Sequence, residues 1–181
     1  MKVDLASYNN QQYKPGSFLK RGLWYFINLV FFNTGIFPLY KLKVTLLRIF
    51  GCKIGNGVYI KPNVNIKYPW KLNIGNNVWI GEGVWIDNLD EASIGNNVCI
   101  SQGALLLCGN HDYKKSSFDL ITQPIVLEEG VWIGARAIVT GGVIAHTHSM
   151  LTVNSVVSKN MEPHSIYSGN PAIKTKIRSI F

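Results

Sequence analysis

The sequence predicts an all-β protein: a parallel β-helix of about five triangular coils, with an N-terminal helical cap and a protruding loop. Three observations predict it: a six-residue repeat from Ile54 onward, turns rich in Asn and Gly, and insertions that fall at one point of the cycle.

In steps of six the chain reads IGNGVY, IKPNVN, IKYPWK(LN), IGNNVW, IGEGVW, IDNLDE(AS), IGNNVC, ISQGAL and LLCGNH; after a loop it continues LEEGVW, IGARAI, VTGGVI, AHTHSM, LTVNSV and VSKNME. The first position is Ile, Leu or Val in every one of these fifteen units except the one that opens on Ala145. The fifth is small or branched: Val58, Val64, Val78, Val84, Val98, Ala104, Val131, Ala137 and Val143. A short fixed period marks a solenoid. Each unit is a short strand and a turn, with the first-position aliphatic inward and the fifth-position residue at the corner. Asn and Gly supply the positive φ that such turns need. One coil cannot bury its own core, so coils must stack. Three units per coil make five coils, and a helical period of 3.6 does not fit the pattern.

The insertions share one corner. The steps from Ile66 to Ile74 and from Ile86 to Ile94 are eight residues, and the step from Leu106 to Leu127 is twenty-one. Each follows the third unit of a coil, so in a triangular prism they stack along one vertex. Tyr68, Pro69 and Trp70 lie lowest, then Asp87, Asn88 and Asp90, then Gly109, Asn110, His111, Asp112 and Tyr113. A prism is built most simply from uninterrupted sixes. Departures carrying polar and aromatic side chains therefore read as the wall of a site on a rigid scaffold. The excursion over 112–124 is expected to reach a neighbouring chain, with a homotrimer as the natural assembly.

Three regions follow: 1–52, an N-terminal helical cap; 53–162, the repeat with its excursion loop over 109–124; and 163–181, a C-terminal tail. Residues 22–40 hold no charge, but Asn28, Asn33, Thr34, Gly35 and Pro38 interrupt them, and Pro38 breaks a helix. Two helices are expected, over 18–32 and 38–50. Their plain reading is an end cap. The sharper one is a peripheral membrane contact through 18–50, with Trp24, Tyr25, Phe26, Phe31 and Phe32 in lipid beside Lys20, Arg21, Lys41 and Lys43. Residues 1–71 hold eleven Lys and Arg against one acid, Asp4, whereas the remainder holds seven against nine acids. The basic part attracts an anionic partner; no nucleic-acid motif accompanies it. Cys52, Cys99 and Cys108 form no metal or disulfide pattern and the N-terminus shows no apolar leader, so the expected place is the cytoplasm, at the inner membrane face if the cap meets lipid.

The hexapeptides, the GNHDY break and the YSGNPAIK ending resemble the left-handed β-helix acetyltransferases. YKPGS (13–17), IKPNVNIKYPW (60–70), IGEGVWIDNLD (80–90), CISQGALLLCGNHDY (99–113) and GNPA (169–172) are most similar to the colanic-acid and exopolysaccharide O-acetyltransferases. The resemblance implies left-handed winding, acetyl-CoA as co-substrate, no metal, and His111 as the catalytic base. It implies acceptor-side roles for Asn110, Asp112, Tyr113, Asp87 and Asn88. It implies a coenzyme site at Gly134, Ala135, Val153, Ser158 and Lys159, with Lys174, Lys176 and Arg178 in the tail. Relatives often carry Asn where this chain has Gly81, and AHTHSM departs from a regular unit.

An imidazole with a pKa of about 6.5 is substantially neutral at pH 7 and can deprotonate an alcohol as it attacks a thioester. A backbone N–H, with Gly134 the candidate, would face the oxyanion. His146, His148 and His164 read as ordinary surface histidines. Cys108 as an acyl-enzyme nucleophile is the competing scheme. The expected acceptor is a glycan or lipid-linked sugar, and the alternative is a small soluble acceptor. A β-helix zinc enzyme would need widely spaced histidines that this chain lacks, and a non-catalytic scaffold for sugar nucleotides is the remaining option.

Overall fold

In the computed structural model, which describes residues 2–36 and 39–181, the hexapeptides form three parallel faces. The first face stacks Lys53–Ile54, Leu72–Ile74, Ala92–Ile94, Ile125–Leu127 and Ile144–Ala145. The second stacks Tyr59–Ile60, Trp79–Ile80, Cys99–Ile100, Trp132–Ile133, Met150–Leu151 and Ser165–Gly169. The third stacks Asn65–Ile66, Trp85–Asp87, Leu105–Leu107, Ile138–Thr140 and Val156–Val157. The register places first-position aliphatics directly over one another: Ile54, Ile74, Ile94, Leu127 and Ala145 form one column, and Ile60, Ile80, Ile100, Ile133 and Leu151 another. Each of these except Ile54 is buried, as are the fifth-position residues beside them. The winding runs past residue 162. Met161 bridges to Ala145, and Ser165–Gly169 pairs with Met150–Leu151, adding most of a sixth coil to the five expected.

The turns take a left-handed residue at the fourth position of the unit. Gly57, Asn63, Asn77, Gly83, Asn97, Gly103 and Asn154 all have φ between +56° and +69°. Arg136 (φ 55°) and His148 (φ 54°) do so without being Gly or Asn. AHTHSM, irregular as a string, is thus regular as a shape: Ala145 and Ser149 are buried and His148 makes the turn. The stack overrides local preference there, at a cost of about 1–2 kcal/mol per such residue.

Both ends of the prism are closed. Helix α1 (Phe18–Ile27) is capped by Ser17, whose hydroxyl accepts from Lys20 N, and runs into a π-turn, Asn28–Phe32. Helix α2 is Tyr40–Ile49. The expected helix over 18–32 is therefore one helix plus the π-turn; the second starts at Tyr40, while Pro38 lies outside the described residues. The cap pairs polar groups of the first coil, which has no coil beneath it. Trp24 Nε1 donates to the Ile66 carbonyl (2.8 Å), Lys43 Nζ to the Lys61 carbonyl (2.8 Å), and Arg48 to the Ile54 and Gly55 carbonyls. At the other end Ala172–Ile177 folds back antiparallel on Ser165–Gly169.

This corrects part of the expected lipid contact. Trp24, Phe32 and Lys43 are buried against the first coil, Phe31 packs half-buried on the core, and Lys20 lies over the Trp70 ring at 4.5 Å. Burial lowers the Lys43 ammonium below the usual lysine range. Tyr25, Phe26 and Lys41 of that set are exposed, and Lys20, Arg21 and Phe31 are partly so.

Candidate active site

The three long connections all run from the third face to the first, so they stack along one edge of the prism. The lowest makes a short helical turn, Pro69–Lys71. The next is tied to it by Asn88, whose side-chain oxygen accepts from Tyr68 N (3.0 Å) while its amide donates to Tyr68 O (2.7 Å). Asn88 is fully buried, so it clamps two bends and faces no acceptor. Asp87 is also nearly buried, with Lys67 Nζ at 3.0 Å from one carboxylate oxygen. The third connection leaves over Leu89 at Gly109, where any Cβ would lie 2.4 Å from a Leu89 methyl.

From Gly109 the chain forms a hairpin, Gly109–His111 against Leu120–Thr122. His111 Nδ1 lies 2.8 Å from the Phe118 carbonyl. A carbonyl can only accept, so Nδ1 carries the proton and Nε2 keeps its lone pair. The Phe118 ring stacks on the imidazole, with centroids 4.4 Å apart and planes 7° apart. Phe118 holds φ at +52°, a strained value for a bulky residue. The strain aims its carbonyl and its ring at the same histidine. The neighbouring residues expected on the acceptor side make local contacts of their own. Asn110 accepts from the His111 backbone N–H (2.8 Å), Asp112 accepts from Lys114 N (3.0 Å), and Tyr113 is exposed.

A second wall comes from the N-terminal segment, which periodicity gave no reason to place there. Asp4 N donates to Ser116 O (2.8 Å), and the Tyr8 ring lies 5.8 Å from His111. Tyr13 Oη donates to Leu89 O (2.7 Å), and Trp70 Nε1 donates to Pro15 O (3.1 Å). The segment thus descends the whole edge as a strap. Burial, helped by the neighbouring Tyr68 phenol and the Asp90 carboxylate, raises the Tyr13 phenol far above its usual range, so it serves as a donor. Between strap and hairpin lies a cavity of about 490 Å³ lined by Asn9, Asn10, Gln12, Asp112 and Asp119 among others.

Within one chain the remaining predicted residues are spread over three edges. Gly134, Ala135 and Val153 lie at the turns between second and third faces, with Asn154 N bonded to Ala135 O (2.9 Å). Gly134 N donates to Leu151 O (2.8 Å), so it is not free for an oxyanion; among the described residues Ala135 N–H makes no hydrogen bond. Ser158 and Lys159 sit on the same edge as His111, two coils further along. Lys174 pairs with Glu162 (2.5 Å), and Lys176 stands exposed on the last strand. Arg178 belongs to the third edge, where it donates to the Gly130, His148 and Ser149 carbonyls and holds turns together. His146 lies 3.0 Å from Glu128, and His148 lies against His164. Cys108 is buried, and burial pushes its thiol up to about 12, which removes the nucleophilic thiolate that a covalent scheme needs.

The fold and the histidine edge together define a class: the chain belongs to the hexapeptide-repeat acetyltransferase family and has its left-handed β-helix. It is 34% identical over 166 residues, 92% of this chain and 91% of the other, to WcaF of Escherichia coli K12, named as a colanic acid biosynthesis acetyltransferase. No family model matches the chain. Among solved structures it superposes on a hexapeptide-repeat acetyltransferase of Vibrio cholerae complexed with acetyl-CoA (TM-score 0.79, 22% identity, 90% and 88% of the two chains). It also superposes on a maltose O-acetyltransferase of Clostridium difficile (TM-score 0.75, 21% identity, 90% and 88%).

Proposed function

We propose that this protein moves an acetyl group from acetyl-CoA to a hydroxyl of a glycan or lipid-linked sugar intermediate, with His111 as general base. The observation that carries the reading is the Phe118 carbonyl on Nδ1, which leaves Nε2 as the proton acceptor. Nε2 takes the acceptor O–H proton as that oxygen attacks the thioester carbonyl. The C–S bond then breaks, and the imidazolium, still held by the Phe118 carbonyl, returns the proton to the departing thiolate. Ala135 N–H, the open amide on its turn, replaces Gly134 as the candidate oxyanion donor. The sugar acceptor follows from the names of the relatives and from the amide-lined cavity beside the hairpin, whose Asn and Gln side chains suit hydroxyl groups.

The working unit in this reading is a homotrimer in the cytoplasm. Ala135 and Val153 sit on a different edge from His111, so a neighbour's turns complete the site. Tyr59, Trp79 and Trp132, with Cys99 between the two tryptophans, form an exposed, mainly aromatic column on the second face that suits subunit packing. The test is His111→Ala with acetyl-CoA turnover and polysaccharide acetyl content as readouts. A loss of about 10²–10⁴ in rate with fold and coenzyme binding retained supports the assignment; full transfer by the variant ends it. Light scattering tests the trimer.

A further inference from the structure

We infer that the outer face of the N-terminal cap docks on an anionic lipid surface. The inner side of α1 and its π-turn is spent on the first coil through Trp24 and Phe32. The outer side carries Leu19 (81% exposed), Leu23 (58%), Phe26 (64%) and Val30 (45%), spaced as one helical stripe. Ile36 and Leu39, further along the cap, are also exposed, at 78% and 56%. A helix on a soluble surface turns polar residues outward; this one turns aliphatic and aromatic residues outward on both of its long sides. Such a contiguous patch marks a contact surface.

Charge selects the occupant. Residues 5–81 hold ten Lys and Arg and no Asp or Glu. Asp87 and Glu82 approach this region only through Lys67 and Asn63, so a second copy seated on the stripe would bring two regions of basic balance together, and like charges would oppose it. An anionic membrane reverses that sign: the stripe enters the headgroup region while the exposed Lys14 and Lys41 stay at the interface. Beside the stripe a groove of about 460 Å³ is lined by Arg21, Lys67, Asn28, Asn33, Tyr25 and Trp85. Arg21 Nε is buried there without a hydrogen-bond partner among the described residues. A guanidinium in that setting fits a headgroup phosphate, which it can hold with two parallel bonds. Among the described residues no helix is long and apolar enough to cross a membrane, so the contact is with the surface. Such docking would present a lipid-linked acceptor, which is the one part of this inference that rests on the proposed acetyl transfer.

The experiment is flotation of the full chain with phosphatidylethanolamine–phosphatidylglycerol vesicles, and separately with phosphatidylcholine vesicles. The wild type should float with the anionic vesicles, and Leu23→Asp with Phe26→Asp should reduce the bound fraction at least tenfold. Arg21→Gln should reduce it about fivefold. Thermal melting checks the fold of each variant, and acetyl transfer to a water-soluble sugar, expected unchanged, separates this inference from the enzymatic one. Wild-type protein left at the bottom of the gradient, or equal flotation of the double variant, overturns the inference. So does a double variant that loses its self-association while the wild type ignores vesicles, because the stripe would then be a contact between copies.

Discussion

Two edges of the same prism divide the labour. The edge between first and second faces is uninterrupted, and its outward groups satisfy one another. Asn76 and Asn96 accept from the backbone of the coil below (2.8 Å each), Glu128 takes His146 and Thr147 N, and Arg178 closes over three carbonyls. The edge between third and first faces is broken at three successive coils and is overlaid by a strap from the other end of the chain. Both carry a histidine whose Nδ1 has a partner. His146 meets a half-exposed carboxylate in a ladder that repeats, while His111 meets a carbonyl held by a strained Phe118 and has two aromatic rings beside it. A histidine's chemistry here depends on whether its surroundings were built for the coil or set aside from it.

The largest expected difference between the edges is catalytic. His111→Ala should lower acetyl transfer by about 10²–10⁴, and His146→Ala should leave it within twofold; equal losses would erase the distinction. Next comes stability. Asn88→Ala leaves Tyr68 N without its partner and Tyr68 O with Lys71 N alone, and should cost about 1–3 kcal/mol in denaturant unfolding. Arg178→Ala should also lower stability, by about 1–2 kcal/mol, with KM for acetyl-CoA unchanged; a raised KM would return Arg178 to the coenzyme site. Phe118→Ala removes the stacked ring but keeps the carbonyl, and should reduce kcat by about 2–10-fold. The smallest effect belongs to Cys108. Its thiol, at about 12, stays protonated below pH 11, so maleimide labelling should be slow until the protein unfolds, and Cys108→Ala should turn over normally.

The columns were legible because inward aliphatics recur at a fixed step, and the broken edge because every extra residue follows the third unit. What escaped lies in contacts that no local period encodes. Tyr8 reaches a partner 103 residues away and Tyr13 one 76 residues away, and nothing in MKVDLASYNNQQYKPG signals a strap. Phe118 stands in a polar loop, and its positive φ is imposed by the hairpin. Gly134 was legible as a turn glycine, but its N–H belongs to the ladder, and only coordinates show that Ala135 is the open one. Lys43 and Trp24 were open to either an end-cap or a lipid reading because their partners are carbonyls, which sequence does not display.

The closed ends have one more consequence. A stack of identical coils has no intrinsic length: each terminal rung is a template for another molecule's rung. Trp24, Lys43 and Arg48 occupy that template below, and the returning strand Ala172–Ile177 occupies its flank above. Stripped of residues 2–50, with the upper end still covered, the protein should pair through its bared lower end and double its particle mass in light scattering, so the cap is also what keeps the molecule finite.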